Sequence, residues 1–545
     1  MRDTEAPLVV ETPGGLSVVY RGRHLYSPRD PARLPRRAAR ACDKGPSRLH
    51  LAASPLLWHG ARELLDSIGP GSAVLFVEAD PALAALARSA APREILEDPR
   101  VAFLESRSAE EAARAARALG RFRACAAIAL SGGEALESVA YSRMAALISA
   151  DIDALWRNRA ALMVLGRRWA RNIFANLSRL GEIAPEPFPR YGIPVAVCGA
   201  GPSLEEALPW LADRRGSVAI LACDTALGTL LGGGAPPDMA ICLEAQAHNL
   251  ADFVPLGSRP MRLAADLSSH PSTFGIVRGP KHLTFVSIAE SPFLDRVRGF
   301  LREAGVPALE LPPMGSVGVH AVRLARELTE APLLALGLDF CFEAGKTHAR
   351  GSPAILAEER RLSRTDRWNA QYAAAFRDRC LPAPCAPGPE GLPLISDPTL
   401  LSYAALLGEL AGESGAPLYD ARGRGPAIGA PRLPLERAGA LAAGWLGLGL
   451  GAPPAAAGPS AAAGDGELEA RVRGFLRGEA ERLTALHDIM KGRGRASELP
   501  RLVAECDYLY WPFPDAERAA SLSQDFLNRL LPETEWWSSR LSHYL

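Results

Sequence analysis

Residues 194–204 read PVAVCGAGPSL, a short apolar run that breaks into Gly199, Ala200, Gly201, Pro202 and Ser203 just before a helical pattern. A strand that ends on small residues at a helix start turns backbone N–H groups toward open space, and such groups hold phosphate. The glycines admit close approach of a ligand, and Ser203 either caps the helix or bonds a phosphate oxygen. No third glycine and no Gly-Lys-Ser/Thr follow, so this is neither the dinucleotide fingerprint nor the Walker loop. On these residues alone, a phosphate cradle and a plain tight strand-to-helix turn both stay open.

Further along, polar groups follow apolar runs at similar places. Asp224 and Thr225 follow VAILAC, Glu244 follows MAICL, Asp266 follows MRLAA, Ser287 follows HLTFV and Asp339 follows APLLALGL. His348 closes the glycine-flanked string Gly345-Lys346-Thr347-His348. A histidine with its ordinary pKa near ~6.5 is neutral at cytoplasmic pH and able to accept a hydroxyl proton. The alternative for His348 is an ordinary surface histidine. Nine cysteines are scattered with no C-x-x-C pair and no zinc-spaced His/Cys cluster, so no metal site is expected.

Positioning these groups calls for a multidomain α/β chain. From Tyr191 to about Ile428, apolar strand runs alternate with helices such as SLEEALPWLADRR, TALGTLLGGG and SVGVHAVRLARELT. That alternation predicts a Rossmann-like, mostly parallel sheet covered by helices on both faces, with ligands at the carboxyl ends of its strands. Residues 8–26 alternate around Gly14-Gly15 as a β-hairpin, and SPRDPARLPRRAARA enters a basic helix. Its arginines read either as an anion site or as a solvated face. From Arg48 a smaller Rossmann-like α/β pattern begins, and VLFVEAD ends in Glu78 and Asp80, where such domains place an acid on a ribose hydroxyl. The turn before it lacks the glycine fingerprint, so we expect the scaffold without the cofactor. Asp151-Ile152-Asp153 falls in a helical pattern and reads as a solvated face.

The expected domains are therefore 1–47 (hairpin and basic helix), 48–149 (small α/β), 150–190 (connecting helices) and 191–430 (the large Rossmann-like α/β domain that carries the glycine turn). The Ala/Gly/Pro-rich stretch 431–466, including LGLGLGAPPAAAGPSAAAGDG, reads as a linker. The helical tail 467–545 would then be a separate unit. Its aromatics suit a helical-bundle core better than a partner surface. With 61 basic and 61 acidic residues the formal net charge is 0, which argues against a nucleic-acid partner. At 48% hydrophobic residues the chain is no disordered polymer. No run approaches the ~18 apolar residues of a spanning helix, no signal-peptide pattern opens the chain, and several cysteines lie in apolar runs. The expectation is a soluble, cytoplasmic protein in a reducing compartment.

Three stretches together resemble a known family. CGAGPSLEEALPWL with ILACDTAL, then PPDMAICLEA, then PMGSVGVHAVRLARELTEAPLLALGLDFCFEAGKTHARG are similar to the motility-associated factor (Maf) family of flagellin glycosyltransferases. The central part also resembles 6-hydroxymethylpterin diphosphokinase (MptE-like) proteins, and bacterial sialyltransferases that use CMP-sialic acid share the same motif order. The likeness covers residues 150–400 well, the N-terminal hairpin weakly and the tail after 440 hardly at all. It implies a glycosyltransferase moving a nonulosonic acid, such as pseudaminic or legionaminic acid, from a CMP donor to Ser or Thr of flagellin. No cofactor or metal is implied beyond the donor itself. In that picture Gly199, Ala200, Gly201, Pro202 and Ser203 cradle the CMP phosphate and ribose, with Asp224 and Thr225 near the nucleotide. Asp224 stands where the sialyltransferases have an asparagine, which leaves its role open. Gly315 and Ser316 at a helix start offer further donors to phosphate. Asp339 orders the site and His348 is the base. Glu244 and Asp266 contact the acceptor or support the site, and Lys346 and Arg350 meet the donor carboxylate. Two rival expectations accompany it. One is an ATP-dependent 6-hydroxymethylpterin pyrophosphokinase, whose Mg²⁺ would be held by Asp224, Glu244 and Asp266. The other is a non-catalytic flagellin-binding protein on a nucleotide-binding fold.

Overall fold

Strands that are apolar at every position need cover on both faces, and the second half of the chain supplies it. The structure is a computed structural model that describes residues 6–287, 290–343, 345–367, 380–386, 391, 394–447 and 466–545. The chain forms two units, Met1–Ala161 and Leu162–Leu545.

In the first unit, β1 (Leu8–Thr12), β2 (Gly15–Tyr20) and β3 (Arg23–His24) form the expected hairpin extended by a third antiparallel strand. β4 (Arg48–Ala53), β5 (Ala73–Glu78), β6 (Val101–Glu105) and β7 (Ala124–Ala129) make a parallel sheet in the order β6-β5-β4-β7. The hairpin and this sheet were expected as separate domains, but they belong to one unit. Tyr20, Leu25 and Tyr26 pack against Leu56 and Leu83, because a three-stranded sheet this small has no core of its own. The helix expected from residue 150 begins earlier and runs Ser138–Leu177.

The second unit is built on eight parallel strands. They are β8 (Val195–Cys198), β9 (Ala219–Cys223), β10 (Met239–Cys242), β11 (Arg262–Asp266), β12 (Lys281–Val286), β13 (Ala308–Leu311), β14 (Leu333–Leu336) and, after the short pair β15 (Leu381–Pro382) and β16 (Ile395–Ser396), β17 (Leu418–Asp420). The order is β13-β12-β11-β10-β9-β8-β14-β17. Alternation along β8 sorts the two cores. Val195 and Val197 pack with helix Val317–Leu328 on one face, and Ala196 and Cys198 pack with helix Leu204–Asp213 on the other. Cys198, Cys223, Cys242 and Cys341 are buried and unbonded, small hydrophobes as their apolar runs suggest.

The tail does not stand apart. Tyr508 and Trp537 meet Phe174 and Phe293 with ring centroids 4.8–5.5 Å apart, inside the same core that covers β8–β12. Arg296 forks onto the fully buried Glu479 at 2.7 and 2.9 Å. These aromatics cover one face of the sheet, so the expected separate unit becomes part of the central core. The expected linker opens with a helix, Leu435–Gly447, whose Ala438 and Ala442 are buried. Residues 448–465 of it lie outside the described residues. No helix among the described residues is long and apolar enough to cross a membrane.

Candidate functional site

The chain leaves β8, walks outward to β13, then returns to the other side of β8 as β14. That reversal is a topological switch point, and ligands of open α/β sheets sit just beyond it. Here the crevice is bounded by Gly199–Ser203 after β8 and by Gly337–Asp339 after β14.

The two turns are bonded to each other. Gly199 N–H donates to Leu336 O at 2.9 Å and Gly201 N–H to Gly337 O at 2.7 Å. The Ser203 amide donates to Asp339 Oδ2 at 2.8 Å, and the Ser203 hydroxyl donates to the other carboxylate oxygen. A Cβ on Gly201 would lie 2.7 Å from both Gly337 O and Asp339 Cγ, and one on Gly199 would lie 2.6 Å from Gly337 O. The expectation of N–H groups aimed at open space therefore fails at Gly199, Gly201 and Ser203. These glycines are required by loop-to-loop packing. Burial raises the Asp339 carboxyl to about 6 against the Ser203 bonds and the Arg422 charge that lower it.

Several elements converge on Leu338 and Asp339. Arg422, itself fully buried, forks onto Asp420 at 2.8 Å and donates to Leu338 O at 2.9 Å. Helix Val317–Leu328 starts so close that a Cβ on Gly318 would be 2.5 Å from the Leu338 side chain. This brings Gly315, at φ 69°, and Ser316 to the crevice, with the Ser316 hydroxyl accepting from Gly318 N–H at 3.2 Å. The segment carrying His348 joins from the other side, where Ala349 N–H donates to Ala200 O at 2.8 Å. His348 is half-buried, its Nδ1 3.0 Å from the Thr347 hydroxyl, and burial pushes its pKa below the ordinary histidine value. Lys346 is engaged within the protein through its side chain, and Arg350 through its backbone only. Lys346 Nζ lies 2.9 Å from Glu205 Oε2, and Arg350 N–H donates to Glu205 Oε1 at 2.7 Å.

Asp224, Glu244 and Asp266 follow β9, β10 and β11, but they do not act as one group. Asp224 is buried, and burial together with the Asp252 and Glu244 charges raises its carboxyl to about 7. Its Oδ1 accepts from Thr225 N–H at 2.9 Å, while Oδ2 has no N–H or O–H donor. Asp266 is occupied by Ser268 N–H at 2.9 Å, the Ser268 hydroxyl at 2.6 Å and Val286 N–H at 2.8 Å. Its carboxyl is raised to about 6 by burial, and it ties the end of β11 to β12. Among the described residues, no three His, Cys, Asp or Glu side chains form a group able to hold a metal ion. Asp224, Glu244 and Asp266, which the pterin-kinase expectation offered to Mg²⁺, therefore do not form such a group. Helix Leu227–Gly232 links this region to the His348 segment, since the Thr229 hydroxyl donates to Arg350 O at 2.7 Å.

Sequence reasoning missed Asp252, Glu205, Arg422 and Asp420. Asp252 is buried, its carboxyl raised to about 6 by burial, with the Glu244 charge adding to the effect. The string DARGRG, which begins on the last residue of β17, was the available signal for Asp420 and Arg422.

In the first unit, Glu78 and Asp80 are held by the chain itself. The Ser54 hydroxyl donates to Glu78 at 2.8 Å, and Asp80 caps helix Pro81–Ser89 through Ala82 N–H at 2.9 Å. The switch point between β4 and β7 is bridged by the hairpin end. The Tyr26 hydroxyl donates to Pro55 O at 2.9 Å, and Gly132 N–H donates to Leu25 O at 2.6 Å. Asp151 pairs with Arg117 on the surface at 2.7 Å.

Residues 167–345 match the family model for 6-hydroxymethylpterin diphosphokinase MptE-like proteins. The chain is 28% identical over 582 aligned positions to an uncharacterized protein of Treponema pallidum (strain Nichols), covering 98% of this chain and 95% of that one. A second protein of the same organism, also uncharacterized, is 34% identical over 95 residues, which span 16% of this chain and 45% of its own length. The solved MAf glycosyltransferase from Magnetospirillum magneticum AMB-1 superposes with a TM-score of 0.57 at 15% identity, over 99% of this chain and 92% of that one. The motif resemblance thus has its counterpart in three dimensions: the chain has the fold of a Maf glycosyltransferase, with an MptE-like segment at its centre.

Proposed function

We propose that this chain is a cytoplasmic glycosyltransferase that moves a sialic-acid-like nonulosonic acid from a CMP donor to Ser or Thr of flagellin. The observation that carries the reading is the end-to-end fold likeness to a glycosyltransferase, supported by the meeting of the turn after β8 with the segment after β14, two of the stretches that carry the resemblance.

The chemistry asks for stabilisation of a departing phosphate and removal of a hydroxyl proton. Because Gly199, Gly201 and Ser203 spend their N–H groups on the neighbouring turn, the phosphate is assigned to the start of helix Val317–Leu328, where Gly315 and Ser316 sit. Asp224, beside Thr225, lies on the nucleotide side of the site. Asp339 keeps the two turns in register, and His348, kept neutral by burial, accepts the acceptor's proton. Glu244 faces the acceptor side, and the exposed Arg350 side chain meets the donor carboxylate.

The MptE-like match favours one second reading, an ATP-dependent pterin pyrophosphokinase. Thermal-shift titration separates the two. Stabilisation by CMP and not by ATP with 6-hydroxymethylpterin supports the transferase. The reverse result supports the kinase, and silence toward both leaves a binding protein and overturns the proposal.

A further inference from the structure

The segment that carries His348 is gripped by two successive glutamates, Glu205 and Glu206, in the first turn of the helix that starts at the glycine turn. Glu205 uses both oxygens on it: Oε1 accepts the Arg350 amide at 2.7 Å and Oε2 takes the Lys346 ammonium at 2.9 Å. These contacts fall two residues on either side of His348. Glu206 works through Arg424, whose guanidinium bridges Glu206 and Glu343, and so holds the start of the same segment. Burial alone would raise the Glu205 carboxyl, yet the Arg350 amide and the Lys346 ammonium together hold it below the ordinary value. An acid in a helix's first turn ordinarily just complements the helix dipole. Here Glu205 reaches out of its helix to a segment about 140 residues away.

We propose that Glu205 is a positioning residue: it sets the place of the 345–351 segment, and through it His348, against the turn after β8. Only the kinetic half of its test rests on the transferase reading. Hydrogen exchange and transfer kinetics are measured on the full chain for wild type, Glu205→Ala and Glu205→Gln. Glutamine keeps an oxygen for the Arg350 amide but loses the charge. In Glu205→Ala the amides of 345–351 should exchange at least about tenfold faster, as expected for loss of a charge-assisted hydrogen bond. Its kcat should fall about tenfold or more with CMP affinity unchanged. Glu205→Gln should restore protection of the Arg350 amide and most of kcat, which a pure dipole role would not allow. Wild-type exchange in Glu205→Ala would overturn the grip itself. Faster exchange with unchanged kcat, in an enzyme that loses transfer in His348→Ala, would overturn the positioning role. A wild type that neither binds CMP nor transfers would sink the transferase reading, while the exchange data still decide the grip.

Discussion

Gly201→Ala separates two reasons for a glycine at this turn. If glycine admits a ligand, the change spares the free protein and harms only binding. If it admits the neighbouring turn, the free protein itself suffers. The added methyl would sit 2.7 Å from Gly337 O and 2.7 Å from the Asp339 carboxyl carbon. Neither neighbour can step aside easily. Gly337 is itself in the left-handed region at φ 59° with its Cβ side against Gly199, and Asp339 is held by Ser203. Relief requires breaking the Gly201–Gly337 hydrogen bond, and leaving a buried group unpaired costs ~1–3 kcal/mol. Overpacking adds ~1–3 kcal/mol. The sum is roughly 2–6 kcal/mol, a large part of the ~5–15 kcal/mol that holds a typical protein folded. The assay is thermal and urea unfolding of ligand-free protein, with Gly299→Ala as control. Gly299 lies in helix Pro292–Glu303 with nothing within 4 Å of an added Cβ, so alanine there should be neutral or stabilising by up to ~1 kcal/mol. Gly201→Ala unfolding within ~0.5 kcal/mol of wild type, but with lost CMP binding, would refute the packing argument and restore the phosphate cradle.

His348→Ala should keep CMP affinity while transfer falls ~10²–10⁴-fold, the usual loss for a general base. Because burial lowers the His348 pKa, its neutral form persists on mild acidification. Wild-type transfer should therefore hold through pH ~6.5 and fall only below it, whereas a half-point above that value would point to another base. Deleting residues 467–545 should prevent folding of the second unit, since it strips Leu476, Leu483, Tyr508 and Trp537 from the core around Phe174 and Phe293. Each such side chain contributes ~1.5–3 kcal/mol, and a truncated chain with wild-type unfolding temperature and CMP affinity would contradict this.

Much of the fold was legible because parallel strands buried on both faces read as continuous apolar runs. VAVC, AILAC, MAIC and LLAL are strands where their composition puts them, with Ser203, Asp224, Glu244 and Asp339 a few residues past their respective ends. β13 was not legible: Ala308–Leu311 is half-exposed and sits between Pro307 and Pro312, so it shows no run. β17, three residues long, is too short for any periodicity. The tail escaped as well, since an Ala/Gly/Pro stretch says nothing about where the next helices dock. At the site, the residue types and the strand ends could be read from the chain, but their partners could not. Ser203 and Asp339 are 136 residues apart, and only the return of β14 to the side of β8 makes them a pair. A glycine turn looks the same in sequence whether a phosphate or another turn lies against it.

The central claim meets its most direct test in the intact mass of flagellin after incubation with the full chain and a CMP-activated nonulosonic acid. The account predicts a mass increase of whole nonulosonic acid residues, mapped to Ser or Thr, with CMP released in equal amount and with the gain lost in His348→Ala. Unchanged flagellin mass in the presence of folded protein that binds CMP would contradict it, as would a gain that His348→Ala leaves intact.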